Sequence, residues 1–296
     1  HSLVYCGACI RTTEIVLMSD YSQWIGKVLE SRDSLTQIAA EQFAATLGRI
    51  TTLPDGQAPL GMHWCLATPT DPMAKLDVDG HPQKGGFIPR IELPRRMWAG
   101  SSVEFIAPIC VGDDIRRMSK IIDVSEKTGN SGILIFLTVG HETYANHTLS
   151  VREQQSIVYL NPSVGKLSLP TGTITQAQSD GWQTLETITP TAAQLFRYSA
   201  LTFNSHRIHY DADYARDVEG YPACVVHGPF MASYLLKLLQ YNFGLDVIRK
   251  FQFRGKSPAY VDQAISFMVK QDAKTLSLQV VNMDCDVVMQ ATAALD

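Results

Sequence analysis

The stretch whose reading decides the fold is Gly228–Gly244, GPFMASYLLKLLQYNFG. Pro229 suits a first helical turn, which has no use for the N–H that proline lacks. The residues after it are apolar nearly all round, so the helix is expected to be buried. Gly244 ends it. Downstream, DVIRKFQFRGKSPAYV, QAISFMVKQDA, TLSLQVVNMD and DVVMQATAAL read as strands. A buried helix followed by an antiparallel meander predicts a sheet wrapped around that helix.

Upstream, TPTAAQLFRYSALT reads as a shorter helix, with Thr189 as N-cap and Pro190 at its first position. The first half shows the same plan in looser form. Asp20–Leu47 contains helical material, with SLTQIAAEQFAATLG at helical spacing up to Gly48. A proline-rich excursion follows to about residue 95. MWAGSSVEFIAPI, DIRRMSKIIDVSEKT, SGILIFLTVGHETYA and TLSVREQQSIVYL then read as strands, separated by Gly112-Asp113, Thr128-Gly129-Asn130 and Asn146-His147. The order of elements predicts an α+β tandem of one unit, asymmetric because GPFMASYLLKLL has no match in the first half. The expected divisions are 1–18, an extension; 19–162, the first unit; 163–184, a Ser/Thr/Gly/Pro-rich linker; and 185–296, the second unit.

The 296 residues are 45% hydrophobic and 18% charged, with formal net charge −4. That is ordinary globular composition, and its mild acidity argues against nucleic acid as a partner. No window approaches roughly 18 consecutive apolar residues, so no membrane span is expected. Six cysteines, four of them scattered singly, fit a reduced interior. Cys6-Gly7-Ala8-Cys9 has CxxC spacing, but no second ligand pair follows nearby. Met18-Ser19-Asp20 looks like a natural start, which makes residues 1–17 an upstream extension or targeting segment.

The loop before the buried helix carries the chemistry. Phe196–Pro229, FRYSALTFNSHRIHYDADYARDVEGYPACVVHGP, sets two histidines and an asparagine in one polar run and ends in His227-Gly228-Pro229. Histidine titrates near neutrality and serves as acid or base. Backbone N–H groups at a helix N-terminus stabilise a developing oxyanion. Together these are the parts for adding water to, or removing it from, an acyl thioester.

The second half resembles the MaoC-like hydratase/dehydratase family of the hot-dog fold, whose usual motif is S-G-D-x-N-P-I-H. The matching run is Leu201–His209, LTFNSHRIH. His209 falls on the catalytic histidine, Asn204 on the aspartate and His206 on the asparagine. The match is closer to a two-domain subset carrying SALTFN-x-H-x-IHYD and EGYP-x-x-VHGP. That subset includes mitochondrial-type 3-hydroxyacyl-carrier-protein dehydratases and itaconyl-CoA and mesaconyl-CoA (3-methylfumaryl-CoA) hydratases. PRIELPRRMWAGSSVEFIAPICVGD resembles its N-terminal domain, so the likeness runs from about Tyr21. It implies a double hot-dog hydratase of a small branched dicarboxylic acyl-CoA, with a homodimer of tandem subunits. The compartment implied is the cytoplasm, or the mitochondrial matrix in a eukaryote.

The resemblance implies catalytic roles for His209, Asn204 and Gly228, the last through its N–H on the thioester oxygen. Asn204 cannot exchange a proton, so it is expected to hold the water and hydrogen-bond the imidazole, leaving His209 as the sole proton shuttle with one ionisation near neutrality. Candidate substrate contacts are His206, His227, Arg95, Arg96, Arg207 and Arg254. Arg254, inside the apolar run FQFRG, is the candidate for a buried anion contact, since an arginine fork grips a carboxylate. His206, His209 and Asp211 lack a paired ligand at zinc-like spacing, so no metal is expected. No glycine-rich dinucleotide loop or P-loop is present, so no organic cofactor is expected. The rival readings are a 3-hydroxyacyl-carrier-protein dehydratase, a non-catalytic acyl-CoA binding module and a hot-dog thioesterase.

Overall fold

The computed structural model describes residues 20–48, 56–129, 132–161, 167–172, 181–244 and 248–295. The Cys6–Cys9 pair and residues 1–17 lie outside them.

The first half comprises β1 (Val28–Ser34), α1 (Gln37–Thr46), β2 (Arg95–Phe105), β3 (Asp114–Gly129), β4 (Gly132–Ala145) and β5 (Thr148–Leu160). The second comprises β6 (Gln183–Ile188), α2 (Ala192–Leu201), α3 (Ala212–Asp217), α4 (Gly228–Phe243) and β7 (Ile248–Gly255). It closes with β8 (Ile265–Asp272), β9 (Thr275–Val281) and β10 (Val287–Leu295). All ten strands form one antiparallel sheet in the order β1-β3-β4-β5-β2-β7-β10-β9-β8-β6. Read from the centre outward, each half has the same order, so the tandem repeat is plain in the topology although the two sequences are not alike. The halves join where β2 pairs with β7, with Gly100 opposite Arg254. A Cβ on Gly100 would stand 2.2 Å from the Phe253 carbonyl oxygen, so only glycine fits this seam.

α4 is buried from Pro229 to Leu239, as its all-round apolar sequence requires. Its leucines, Phe230 and Tyr234 share one core with the inward faces of β7–β10 and with Val103, Phe105, Ile115 and Val151 of the first half. Lys237 enters that core because its ammonium donates to the Leu47 carbonyl (3.1 Å) and pairs with Glu186 (3.3 Å).

Where the second half has α4, the first half has the short 3₁₀ turn Met62–Cys65. Trp64 Nε1 donates to the buried Glu153 carboxylate at 3.1 and 3.2 Å, and His63 Nε2 lies 3.6 Å from it. Arg117 donates to the His63 carbonyl. The asymmetry expected from the sequence is therefore a polar anchor in one half and an apolar helix in the other.

Three local expectations need correction. β1 occupies part of the stretch read only as helical. Its side chains are mostly exposed, so it lacks the apolar alternation that marks a strand. α2 is capped by Thr191 rather than Thr189. Thr191 accepts from the Gln194 N–H, and the Gln194 side chain accepts from the Thr191 N–H. This closed capping box starts the helix two residues later than Pro190 suggests. β6 begins at Gln183, inside the stretch read as linker. The Asn146-His147 turn is as expected: φ of 45° and 72° gives the paired left-handed residues of a tight hairpin.

Candidate active site

His209 sits at the end of a 3₁₀ turn, Arg207–His209, just before α3. Val225 fixes it twice. The Val225 N–H donates to the Ile208 carbonyl (2.9 Å), and the Val225 carbonyl accepts from His209 Nδ1 (2.7 Å). That second bond places the ring proton on Nδ1 and leaves Nε2 with a free lone pair. Val225 is itself bridged to Tyr260, so His209 is tied through one residue to the connection between β7 and β8.

Two residues on, the His227 ring stacks on the His209 ring, with centroids 3.6 Å apart and planes at 19°. His227 is also the N-cap position of α4. The stack therefore brings the His209 ring against the start of α4, whose first N–H groups have no partner inside the helix. No hydrogen bond among the described residues takes up the Gly228 N–H. His227 Nε2 meets Ser199 Oγ at 2.8 Å, while its buried Nδ1 has no partner among the described residues. The site thus offers a base lone pair, a free backbone donor and a free ring nitrogen.

Burial pushes the His209 imidazole down to about 3, reinforced by nearby His206 and opposed by the bond to Val225. The sequence predicts an ionisation near neutrality, and the structure moves it well into acid. His209 is unprotonated throughout the neutral range.

Asn204 does not reach His209. Its Oδ1 accepts from the His206 N–H at 3.1 Å and shapes the turn instead. The expected bond to the His209 imidazole is absent among the described residues. The amide serves a local loop need there.

His206 is buried, with Nε2 3.1 Å from Glu219 Oε1, and Glu219 lies 3.7 Å from Arg95. The Arg95 guanidinium also covers the Tyr221 ring at 4.8 Å. Arg95 is therefore a buried structural cation rather than a strand-end charge. Arg207 is engaged too. It pairs with Asp211 at 2.8 Å, donates to the Val78 carbonyl and lies over Tyr214. Arg254 corrects its expectation of burial. It lies on the outer face of β7, because Phe251 and Phe253 take the alternate inward positions. Arg96 is half-buried.

Sequence reasoning missed the first half's contribution. The loop at 77–83 docks on the turn that carries His209: the Asp79 carbonyl accepts from the Arg207 N–H (2.9 Å), and Ser205 Oγ donates to the Gly80 carbonyl. This brings the His81 ring to 4.1 Å from His206, which lies edge-on to His209 at 5.5 Å. His81 Nδ1 is held by Asp79 at 2.9 Å. A histidine and an aspartate flanking a glycine in a proline-rich loop were the only signal available.

Asp79, His81 and His206 are also spaced to hold a metal, with ligand atoms within 4.8 Å of one another. Their partners, Asp79 for His81 and Glu219 for His206, give the same atoms a protein-only role. Asp211, close in sequence to His206 and His209, caps α3 and pairs with Arg207.

Gly80→Ala tests the docking. A Cβ would stand 1.9 Å from the Ser205 carbonyl oxygen, and φ is +89°. We expect a loss of roughly 1–3 kcal/mol in stability and a tenfold or greater fall in activity. Denaturant unfolding and steady-state kinetics read the two effects. Wild-type values for both would show that the loop docks without consequence.

A sequence model of the family "Hydroxyacyl-thioester dehydratase type 2" matches residues 61–261, which include every histidine of the cluster. The chain belongs to this family. It is an enzyme of the hydro-lyase class, with the double hot-dog fold. A mesaconyl-C(4)-CoA hydratase of Chloroflexus aurantiacus is 36% identical over 279 residues, covering 94% of this chain and 98% of that protein. A mitochondrial hydroxyacyl-thioester dehydratase type 2 of Schizosaccharomyces pombe is 25% identical, covering 81% and 89%. A MaoC-like dehydratase of Phytophthora capsici superposes with a TM-score of 0.66 at 15% identity, over 92% of this chain and 96% of that one. No helix among the described residues is long and apolar enough to cross a membrane.

Proposed function

We propose that this enzyme hydrates the C=C bond of a small branched dicarboxylic enoyl-CoA, such as 3-methylfumaryl-CoA or itaconyl-CoA. The observation that carries the chemistry is the His209–His227 stack at the start of α4. In this reading His209 Nε2 takes a proton from water, and the hydroxide equivalent adds to the β-carbon. Charge moves onto the thioester oxygen, where the Gly228 N–H donates, with His227 Nδ1 as a second donor. The proton on His209 then passes to the α-carbon. One ring serves both steps, because Asn204 has no proton to give. The C. aurantiacus relative supports the CoA ester and the dicarboxylic acyl group.

The yeast relatives favour a second reading, 3-hydroxyacyl thioesters presented by a carrier protein in mitochondria. A cavity of about 70 Å³, lined by Leu60, His63, Phe105, Ile109 and Ile248, is set among apolar residues. None of the four clustered histidines, 81, 206, 209 and 227, lines it, so it does not supply an acyl tunnel from the base. A homodimer in the cytoplasm or the mitochondrial matrix completes the proposal.

The test is a panel of enoyl-CoA thioesters with and without a second carboxylate, followed by loss of enoyl absorbance. We expect kcat/KM for 3-methylfumaryl-CoA to exceed that for crotonyl-CoA by at least a hundredfold. Equal or better turnover of crotonyl and longer chains would favour the carrier-protein reading. Release of free CoA thiol would indicate a thioesterase instead.

A further inference from the structure

We infer that Arg96, the Tyr159 hydroxyl and the His81 ring form a subsite in the first half for the second carboxylate of a branched dicarboxylic acyl thioester with a four-carbon main chain. This rests on the function proposed above and names the groups that would select that substrate.

Arg96 and Tyr159 are direct partners across β2 and β5, so their side chains leave the same face of the sheet. Tyr159 is fully buried; the Arg96 guanidinium stands close enough to act on its hydroxyl as a donor, and no acceptor for the hydroxyl's own proton is found among the described residues. A buried O–H without an acceptor destabilises the free protein, and a ligand oxygen relieves that cost. Arg96 is half-buried and takes part in no ion pair among the described residues. Its neighbour Arg95 is already committed to Glu219 and Tyr221. Of the two adjacent arginines, one is in use and one is open.

The charges around this pair suit an anion. The Arg96 guanidinium acts on both Tyr159 and His81. Lys84 stands 5.7 Å over the Tyr159 ring, although its own donors go to the Ile91 and Leu93 carbonyls. Of the carboxylates, Asp79 acts on Tyr159 and is taken up by His81 Nδ1, while Asp77 and Glu92 act on Lys84. The bond to Asp79 leaves His81 Nε2 for a ligand. Burial and the Arg96 charge hold the ring neutral in the free enzyme.

The subsite lies within reach of the reacting carbons. Gly228 abuts β2, where an added Cβ would stand 3.9 Å from the Trp98 carbonyl oxygen. Arg96 is two residues earlier on the same strand, roughly 6–7 Å away at strand rise. The thioester carbon and the far carboxylate of such an acyl group are three C–C bonds apart, on the order of 4 Å, and the arginine side chain spans the rest. A CoA phosphate fits less well, because Tyr159 is sealed under a segment that includes Phe87, Ile88, Ile91 and Leu93. The first half is thereby a specificity element as well as a scaffold.

The experiment compares kcat/KM for 3-methylfumaryl-CoA and crotonyl-CoA in wild type, Arg96→Met, Arg96→Lys and Tyr159→Phe. We expect the ratio to fall at least a hundredfold in Arg96→Met. It should fall less in Arg96→Lys, which keeps the charge but loses the fork, and about tenfold in Tyr159→Phe, which keeps the shape. Free 3-methylfumarate should raise the Tm of wild type but not of Tyr159→Phe, a readout that survives even if Arg96→Met does not fold. Equal losses on both substrates, or an unchanged ratio, would overturn the subsite alone. A wild type that prefers crotonyl-CoA would overturn the substrate reading and the subsite together.

Discussion

His209→Ala is expected to lower turnover about a thousandfold, the range set by loss of a positioned general base, while the fold is retained. The ring makes one hydrogen bond to the protein, to the Val225 carbonyl, and otherwise stacks on His227. Removing it leaves the α4 N-terminus and the β2–β7 seam in place. KM should change little, because in the proposed mechanism the Gly228 N–H remains in place to meet the thioester oxygen. The measurement is steady-state kinetics, with near-UV circular dichroism to confirm native packing. A fall below tenfold would remove His209 from the mechanism. Asn204→Asp supplies the contrast. Aspartate still accepts the His206 N–H, so the turn survives, and the variant is expected to stay within tenfold of wild type.

The fold was legible because the signals that build it are local. Gly228–Gly244 carries a first-turn proline, unbroken apolar residues and a terminal glycine, and α4 runs Gly228–Phe243 with Gly244 as its C-cap. The strands of both meanders were readable from alternation, and Asn146-His147 marked a hairpin. β1 was not readable, because an edge strand with exposed side chains has no apolar period. The site was legible where its residues share one loop: His206, His209, His227 and Gly228 lie within 23 positions of one another and are joined by the Val225 bonds. What was hidden is what folding adds from afar. Asp79, Gly80 and His81 are more than a hundred residues upstream, and only the docking of their loop on Ser205 and Arg207 shows that they belong. Arg95 and Arg96 look alike in sequence, yet opposite directions on β2 give one a buried partner and leave the other facing Tyr159. The His209 pKa was misjudged for the same reason. Burial dominates it, and burial is a property of the assembled halves.

That burial makes the protein sensitive to acid, and stability is expected to fall steeply between pH 6.5 and about 4. Four histidines, 63, 141, 209 and 227, are each pushed below their ordinary value chiefly by desolvation. His209 is held at about 3 and His141 at about 4. In the unfolded chain each titrates near 6.5, so below that pH the unfolded state binds protons that the folded state refuses. Their contribution is intact above pH 6.5 and is lost as pH falls toward the folded values. One such group changes stability by about 1.4 kcal/mol per pH unit in that window. His209 and His141 together lose about 2.7 kcal/mol per unit, which over two pH units is comparable to the whole stability of a typical domain, and His63 and His227 act in the same direction. Cooperative unfolding is therefore expected before His209 itself is protonated, and the acid limb of activity should follow loss of structure rather than titration of the base. Urea unfolding at pH 7, 6, 5 and 4.5, with kcat/KM at the same points, separates the two. His141→Gln is the control. It keeps acceptor and donor atoms near Ser119 and Gln155 but cannot ionise, so its stability should fall less steeply with acid. A stability curve flat from pH 7 to 4.5, with activity falling near pH 6.5, would mean that the histidines are solvated and that His209 titrates as a free imidazole does.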